Sequence, residues 1–233
     1  MDADWIRKIA RDPDLMRMGH SQSAEDDNLG FGWVYYGLAR AYRPRHVVCI
    51  GSFRGFVPMM FAKALVDNRG GGRVTFVDPS FVDGFWTDPE AVRAWFLSHG
   101  LDNIDHHRMT TQDFAASEAF AALPTVDFLF VDGFHSAEQA EFDHKAFARR
   151  LNPDGLVFFH DSVSAKMSGI YGEDGGYAYT VHEYVARLAR SRSYQVLDIP
   201  FADGLSIVRR RSKVSREKQP DSLYAPAPNP GPT

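Results

Sequence analysis

The 233-residue chain holds one cysteine, Cys49. A single thiol excludes an internal disulfide framework and any Cys-rich zinc site. No apolar run approaches the length of a membrane span. The opening stretch "MDADWIRKIARDPD" is too charged for a signal peptide. Charge of one sign is also scarce. The net charge is −4 and the only block is "RRR" at Arg209 to Arg211. An electrostatic nucleic-acid binder needs a basic face, so that class is disfavoured. Internal repeats are absent. The expectation is a cytoplasmic protein acting on a small molecule, without membrane or nucleic-acid partners.

What remains is ordinary globular material, 44% hydrophobic and 24% charged, long enough for one large α/β domain. Residues 1–28 read as a polar extension in which "DWIRKIARD" can form a short helix. That helical region offers a surface for a homo-oligomer. Residues 29–211 read as the domain. Residues 212–233, rich in proline and polar side chains, read as a flexible tail.

Strand and helix signals alternate through the domain. "HVVCIG", "GRVTFVD", "NIDHHRM", "VDFLFVDG" and "GLVFFHDS" read as strands. Helices are expected over "NLGFGWVYYGLARAYRP" with Asn28 as cap, over "GFVPMMFAKALVDN" and over "DPEAVRAWFLSHG". The last has Asp88 as cap, Pro89 at its first position and Gly100 past its end. Further helices are read over "TTQDFAASEAFAAL", "SAEQAEFDHKAFARRL" and "TVHEYVARLARS", the middle one opened by a Ser136–Gln139 capping box. A Gly-rich loop, "SVSAKMSGIYGEDGGYAY", follows the fifth strand. "YQVLDIP" and "GLSIVRR" are close enough to form a closing hairpin, which makes one strand antiparallel. Alternation of this kind means a mostly parallel sheet with helices on both faces. Ligands of such sheets sit beyond the carboxyl ends of the strands.

That rule gathers the residues that carry chemistry. In "VVCIGSFRGF", Gly51 and Gly55 bracket a tight turn into a helix, where the backbone can approach a ligand. The spacing is not G-x-G-x-x-G, because Ser52, Phe53 and Arg54 fill the turn, and this weakens a dinucleotide reading. Asp78 ends the second strand and can accept ribose hydroxyls, or simply cap a turn. In "TTQDF", Gln112 or Asp113 can meet a purine edge or cap a helix. Asp132 and His135 end one apolar strand, and His160 and Asp161 end another. Together they can hold a divalent ion or act as a general base. His20, His46, His106, His107, His144 and His182 show that histidine is common here, so most are expected to be ordinary. The aromatics of "FVDGFW" and "IYGEDGGYAY" can line a pocket under a mobile lid, or belong to the core.

"VVCIGSFRGF", "VTFVDPS", "VDFLFVDGFHSAEQAEFDHKAF", "LNPDGLVFFHDS" and "GLSIVRR" resemble segments of the class I S-adenosylmethionine-dependent methyltransferases. The group they are most similar to is the macrocin and cephalosporin-pathway O-methyltransferases. The resemblance implies a Rossmann-like seven-stranded sheet of order 3-2-1-4-5-7-6 with strand 7 antiparallel. It implies a cofactor site made of Gly51, Ser52, Phe53, Gly55, Asp78, Pro79, Ser80, Gln112, Asp113, Asp132, Phe134 and His135. Asp132 falls on the first metal ligand of the metal-dependent relatives. Their next ligands, two adjacent acids, are here His160 and Asp161, which puts Mg2+ in question and leaves another divalent metal open. Cys49 stands where many relatives carry an acid. The implied reaction is direct displacement at a sulfonium methyl, with His135 the first candidate base, His160 the second, and Asp132 beside them. The alternatives are a nicotinamide-dependent oxidoreductase and a catalytically silent nucleotide-binding module.

Overall fold

A computed structural model of the chain describes residues 1–17, 19–169 and 176–211. The tail expected over 212–233 lies outside the described residues, as does the middle of the Gly-rich loop. The elements run α1 (Ala3–Ala10), α2 (Gly32–Tyr42), β1 (His46–Ile50), α3 (Phe56–Asn68), β2 (Arg73–Val77), α4 (Pro89–Ser98), β3 (Ile104–His107), α5 (Thr111–Ala115) and α6 (Glu118–Ala121). Then follow β4 (Val126–Val131), α7 (Ala137–Phe147), β5 (Leu151–His160), β6 (Lys166–Ser168), β7 (Tyr177–Tyr179), α8 (Val181–Arg190), β8 (Tyr194–Ile199) and β9 (Leu205–Arg210).

Seven strands form one sheet in the order β3-β2-β1-β4-β5-β9-β8. β9, its seventh strand along the chain, runs antiparallel to both β5 and β8. The other contacts are parallel. This is the Rossmann-like order expected above.

Both faces of the sheet are covered, which is why β1 and β4 are buried throughout and mostly apolar, with His46 and Asp127 the exceptions. Their side chains still alternate between two cores. Val47, Cys49, Phe128 and Phe130 face the core shared with α1, α2 and α3. Val48, Ile50, Leu129 and Val131 face the core shared with α7 and α8. α8 buries Val181, Tyr184, Val185 and Leu188, the spacing of one helical face. Trp5, Ile9 and Leu15, from the first 28 residues, belong to the first core.

Local chemistry accounts for the boundaries. Asp88 caps α4 by accepting from the amides of Glu90 and Ala91, with Pro89 at its start. Gly100 lies past the end with φ +73°. Ser136 Oγ accepts from the Gln139 amide, but the Gln139 side chain turns to Asp143 instead of completing a capping box.

Three expectations are corrected. Asn28 does not cap α2, which starts at Gly32. The Asn28 side chain instead accepts from the Gly30 amide and Trp33 Nε1. Gly30, at φ +53°, turns the chain so tightly that a Cβ there would lie 2.0 Å from the His20 carbonyl oxygen. The single helix read over "TTQDFAASEAFAAL" is two, because Ser117 accepts from the Phe120 amide and restarts the helix as α6. The described parts of the Gly-rich loop form a β6–β7 hairpin, with Lys166 opposite Tyr179.

Candidate active site

A cleft of about 830 Å³ opens beyond the carboxyl ends of β1, β2, β4 and β5. Gly51, Ser52, Phe53, Asp78, Pro79, Ser80, Gln112, Asp132, Phe134, His135, His160 and Asp161 all line it. Two of the residues expected there do not. Gly55 lies one step into the turn, at φ +81°, heading α3 and packed against Phe96 and Trp86. Asp113 is held in the first turn of its own helix: Thr110, the cap, accepts from the Asp113 amide and donates its hydroxyl to the Asp113 carboxylate at 2.7 Å. Thr110, Thr111 and Gln112 line the cleft in its place.

The β1–β2 end is made largely of backbone. Gly51 has φ +70°, and a Cβ on it would lie 2.3 Å from the carbonyl oxygen of Asp132. Only glycine lets β1 and β4 end in such close contact. The amides of Ser52 and Ser80 donate to the two oxygens of Asp78, at 3.2 and 2.7 Å. Burial pushes the Asp78 carboxyl above its usual pKa, against the pull of those two amides. The turn itself is clamped from behind. The indoles of Trp86 and Trp95 donate to the carbonyls of Phe53 and Arg54, at 3.1 and 3.3 Å. The Arg54 guanidinium lies over the Phe53 and Phe85 rings and pairs with Asp83 at 2.7 Å. Trp86 is therefore core, whereas Phe81, from the same "FVDGFW" stretch, is 68% exposed at the rim.

The β4–β5 end is made of ionisable side chains. His160 Nδ1 lies 2.9 Å from Asp132 Oδ1. Burial works to lower the His160 pKa, but Asp132 and Asp161 outweigh it and hold it above the ordinary value. Burial works to raise Asp132, but His160, His135 and His20 hold it down. The two shifts describe one ion pair. His135 differs. Its Nε2 is 3.8 Å from Asp132 and its Nδ1 3.7 Å from Asp161, both beyond hydrogen-bond reach. Its ring stacks on Tyr179 with centroids 4.1 Å apart. Burial keeps it below the ordinary histidine pKa despite the two carboxylates. Asp161, at φ +50°, is paired with Lys166 from the hairpin at 3.1 Å. Phe134 stacks on Tyr177, with centroids 4.3 Å apart.

Besides Lys166, two residues passed over in the sequence belong to this site. His20 comes from the segment between α1 and α2, and its Nε2 stands 3.8 Å from Asp132 Oδ2. No spacing signal marks it, because the contact spans more than a hundred residues. Asp143 lies on α7 in the cleft wall, fully buried, with Oδ1 accepting from Gln139 Nε2 at 2.7 Å. Burial pushes its carboxyl up to about 6. Its position eight residues after His135, on the buried face of an amphipathic helix, is the signal that was available.

Comparison with known proteins agrees with this geometry. Residues 48–162 match a family model described as a methyltransferase domain. Those residues run from β1 to the end of the Asp132–His160–Asp161 cluster. The uncharacterized protein y4gI of Sinorhizobium fredii is 26% identical over 184 residues, which is 76% of this chain. The chain spans 19% of the length of that relative. A methyltransferase from Geobacter sulfurreducens superposes with TM-score 0.55 at 21% identity, over 78% of each chain. The O-methyltransferase TomG from Streptomyces achromogenes, involved in tomaymycin synthesis and solved with SAM, superposes with TM-score 0.63 at 18% identity. That match covers 91% of this chain and 92% of TomG. At these identities the structures show a shared fold.

Proposed function

We propose, from the match of residues 48–162 to a methyltransferase-domain model and the fold the chain shares with solved methyltransferases, that it is an S-adenosylmethionine-dependent O-methyltransferase acting on a hydroxyl of a small molecule. The observation that carries this reading is the junction at Gly51. There a backbone end suited to a nucleoside meets a side-chain end suited to proton transfer, inside one cleft of about 830 Å³.

The residues fit the donor on structural grounds. The Gly51–Phe53 turn has no room for a side chain at Gly51, which leaves main chain facing the cleft. Each Asp78 oxygen accepts from one backbone amide, so lone pairs remain for ribose hydroxyls. Gln112 and Phe134 would flank the base. Bound S-adenosylmethionine supplies a methyl group on a positively charged sulfur. The tasks left to the chain are to align the acceptor oxygen and to take its proton.

His135 suits the second task better than His160. The His160 Nδ1 position is committed to Asp132, and its side chain is 4% exposed. Both His135 nitrogens lie outside hydrogen-bond reach of their carboxylate neighbours, and the residue lines the cleft. The ring is held against Tyr179, so a nitrogen can meet an acceptor hydroxyl without first breaking a bond. Asp132 and Asp161 then stabilise the imidazolium that forms. The exposed rim residues Phe81, Val82 and Phe134 suit an acceptor with apolar surface.

The test separates binding from turnover. S-adenosylhomocysteine should give heat on titration calorimetry and NADH none. His135→Ala should keep S-adenosylhomocysteine affinity within about twofold while methyl transfer drops by about 10²–10⁴. Unchanged turnover removes His135 from the mechanism, and heat with NADH instead returns the oxidoreductase reading.

A further inference from the structure

We infer that His20, Asp132 and His160 form a binding site for a first-row transition-metal dication, zinc or its neighbours rather than magnesium. The inference deepens the methyltransferase reading and rests on it for its catalytic meaning.

One ligand atom from each of the three residues lies within 4.8 Å of the others. The His20 and His160 rings stand with centroids 4.1 Å apart, and Asp132 reaches both. In a filled site, metal–nitrogen bonds of about 2.0–2.1 Å place neighbouring donors about 3 Å apart. Small side-chain rotations close that gap.

His160 presents Nδ1 to Asp132 at 2.9 Å, the nitrogen placed to share an ion with it. His20 is set up in the manner of a metal ligand. The Tyr35 hydroxyl meets its Nδ1 at 3.2 Å, and Phe56 stacks on its ring at 5.4 Å. Its Nε2 is left facing Asp132 Oδ2 at 3.8 Å. Partners on the far nitrogen fix the tautomer and ring angle of ligating histidines.

The donor set decides the metal. The resemblance to metal-dependent relatives led to an expectation of Asp132, His160 and Asp161 as ligands. Asp161 is not in that three-residue group: its Oδ2 pairs with Lys166 at 3.1 Å, while its Oδ1 stands 3.4 Å from His160 Nδ1. A set of two imidazoles and one carboxylate does not fit Mg2+, which prefers oxygen ligands and retains water. It suits Zn2+, Fe2+, Co2+ or Mn2+. Asp132 and His160 line the cleft, so open positions on the ion face the acceptor, where it can polarise an oxygen. His20 closes the site from the N-terminal side.

The test uses the full chain after dialysis against a chelator. Zn2+ and Mg2+ are titrated calorimetrically, and Co2+ is followed by its visible absorption. The site requires one equivalent of Zn2+, Mg2+ at least about tenfold weaker, and Co2+ bands typical of imidazole ligation. His20→Ala should weaken Zn2+ by about tenfold or more and leave S-adenosylhomocysteine affinity nearly unchanged. Equal affinity for Mg2+ and Zn2+ overturns the inference, as does an unchanged Zn2+ affinity in His20→Ala. If that variant fails to fold, the wild-type titration still decides, since no uptake of Zn2+ or Co2+ overturns the site. Zn2+ binding without S-adenosylhomocysteine binding supports the metal site and defeats the methyl-donor reading.

Discussion

At the β1–β2 end of the cleft the lining is main chain, with one carboxylate braced by two amides. At the β4–β5 end it is side chain: Asp132, His135, His160, Asp161 and Lys166, with His20 behind them. The first end offers shape and donors that do not change charge. The second holds groups whose protonation is set by each other. A backbone surface suits a constant ligand bound the same way in every cycle. A cluster of coupled ionisable groups suits a step in which a proton has to move. The two ends meet where Gly51 touches the Asp132 carbonyl, so the division of labour is held in register by one contact.

That division can be broken most severely at the contact itself. Gly51→Ala adds one carbon to a residue at φ +70°, 2.3 Å from a carbonyl oxygen. The expected cost is about 3 kcal/mol or more of stability, together with loss of S-adenosylhomocysteine binding. Thermal melting and calorimetry on one preparation check both. A variant that is stable and binds normally means the ends are not coupled there.

The next largest effect belongs to the backbone end alone. Asp78→Ala leaves the Ser52 and Ser80 amides without their carboxylate acceptor. Hydrogen bonds to charged groups are each worth about 1.5–3 kcal/mol, so S-adenosylhomocysteine affinity should fall by roughly 10²-fold. Metal uptake at the other end should not change. A fall in both would show that the halves share more than the Gly51 contact.

The smallest effect lies beneath both ends. Asp143 sits between neutral partners, Thr111 and Gln139, and its carboxyl is raised from 3.8 to about 6 by burial. A raised carboxyl pKa means the folded state resists ionisation. The chain should lose stability as pH rises from about 4 through about 6, by at most about 3 kcal/mol. Asp143→Asn should flatten that decline without shifting stability near pH 4. Melting curves at pH 4, 6 and 8 decide it. A decline of equal size in the variant assigns it to other groups.

How much of this was legible in the chain differs between the two ends as well. The strand order followed from alternation together with the resemblance to class I methyltransferases. The glycine turn, Asp78 and the strand-ending Asp132 and His160 could be placed on one edge because each ends or follows a buried run. Local grammar misled where long-range packing took over. Asn28 sits just before a helical pattern, yet the tight Gly30 turn against His20 moved the start of α2 to Gly32. Ser117, inside an alanine-rich pattern, broke one helix into two because its hydroxyl competes for a backbone amide. His20 was invisible as a site residue because it is far in sequence from Asp132, and Lys166, though it closely follows its partner Asp161, stands in no motif. Asp113 was legible as either cap or ligand, and the structure gives the cap to Thr110, whose hydroxyl holds the Asp113 carboxylate.

The indoles that clamp the glycine turn have a practical consequence. Two of the four tryptophans, Trp86 and Trp95, donate to carbonyls of consecutive residues in it. Indole emission responds to such bonds, so the ultraviolet fluorescence of the unlabelled chain is an optical gauge of whether that turn is engaged. An acceptor lodged among the histidines alone should leave the signal still.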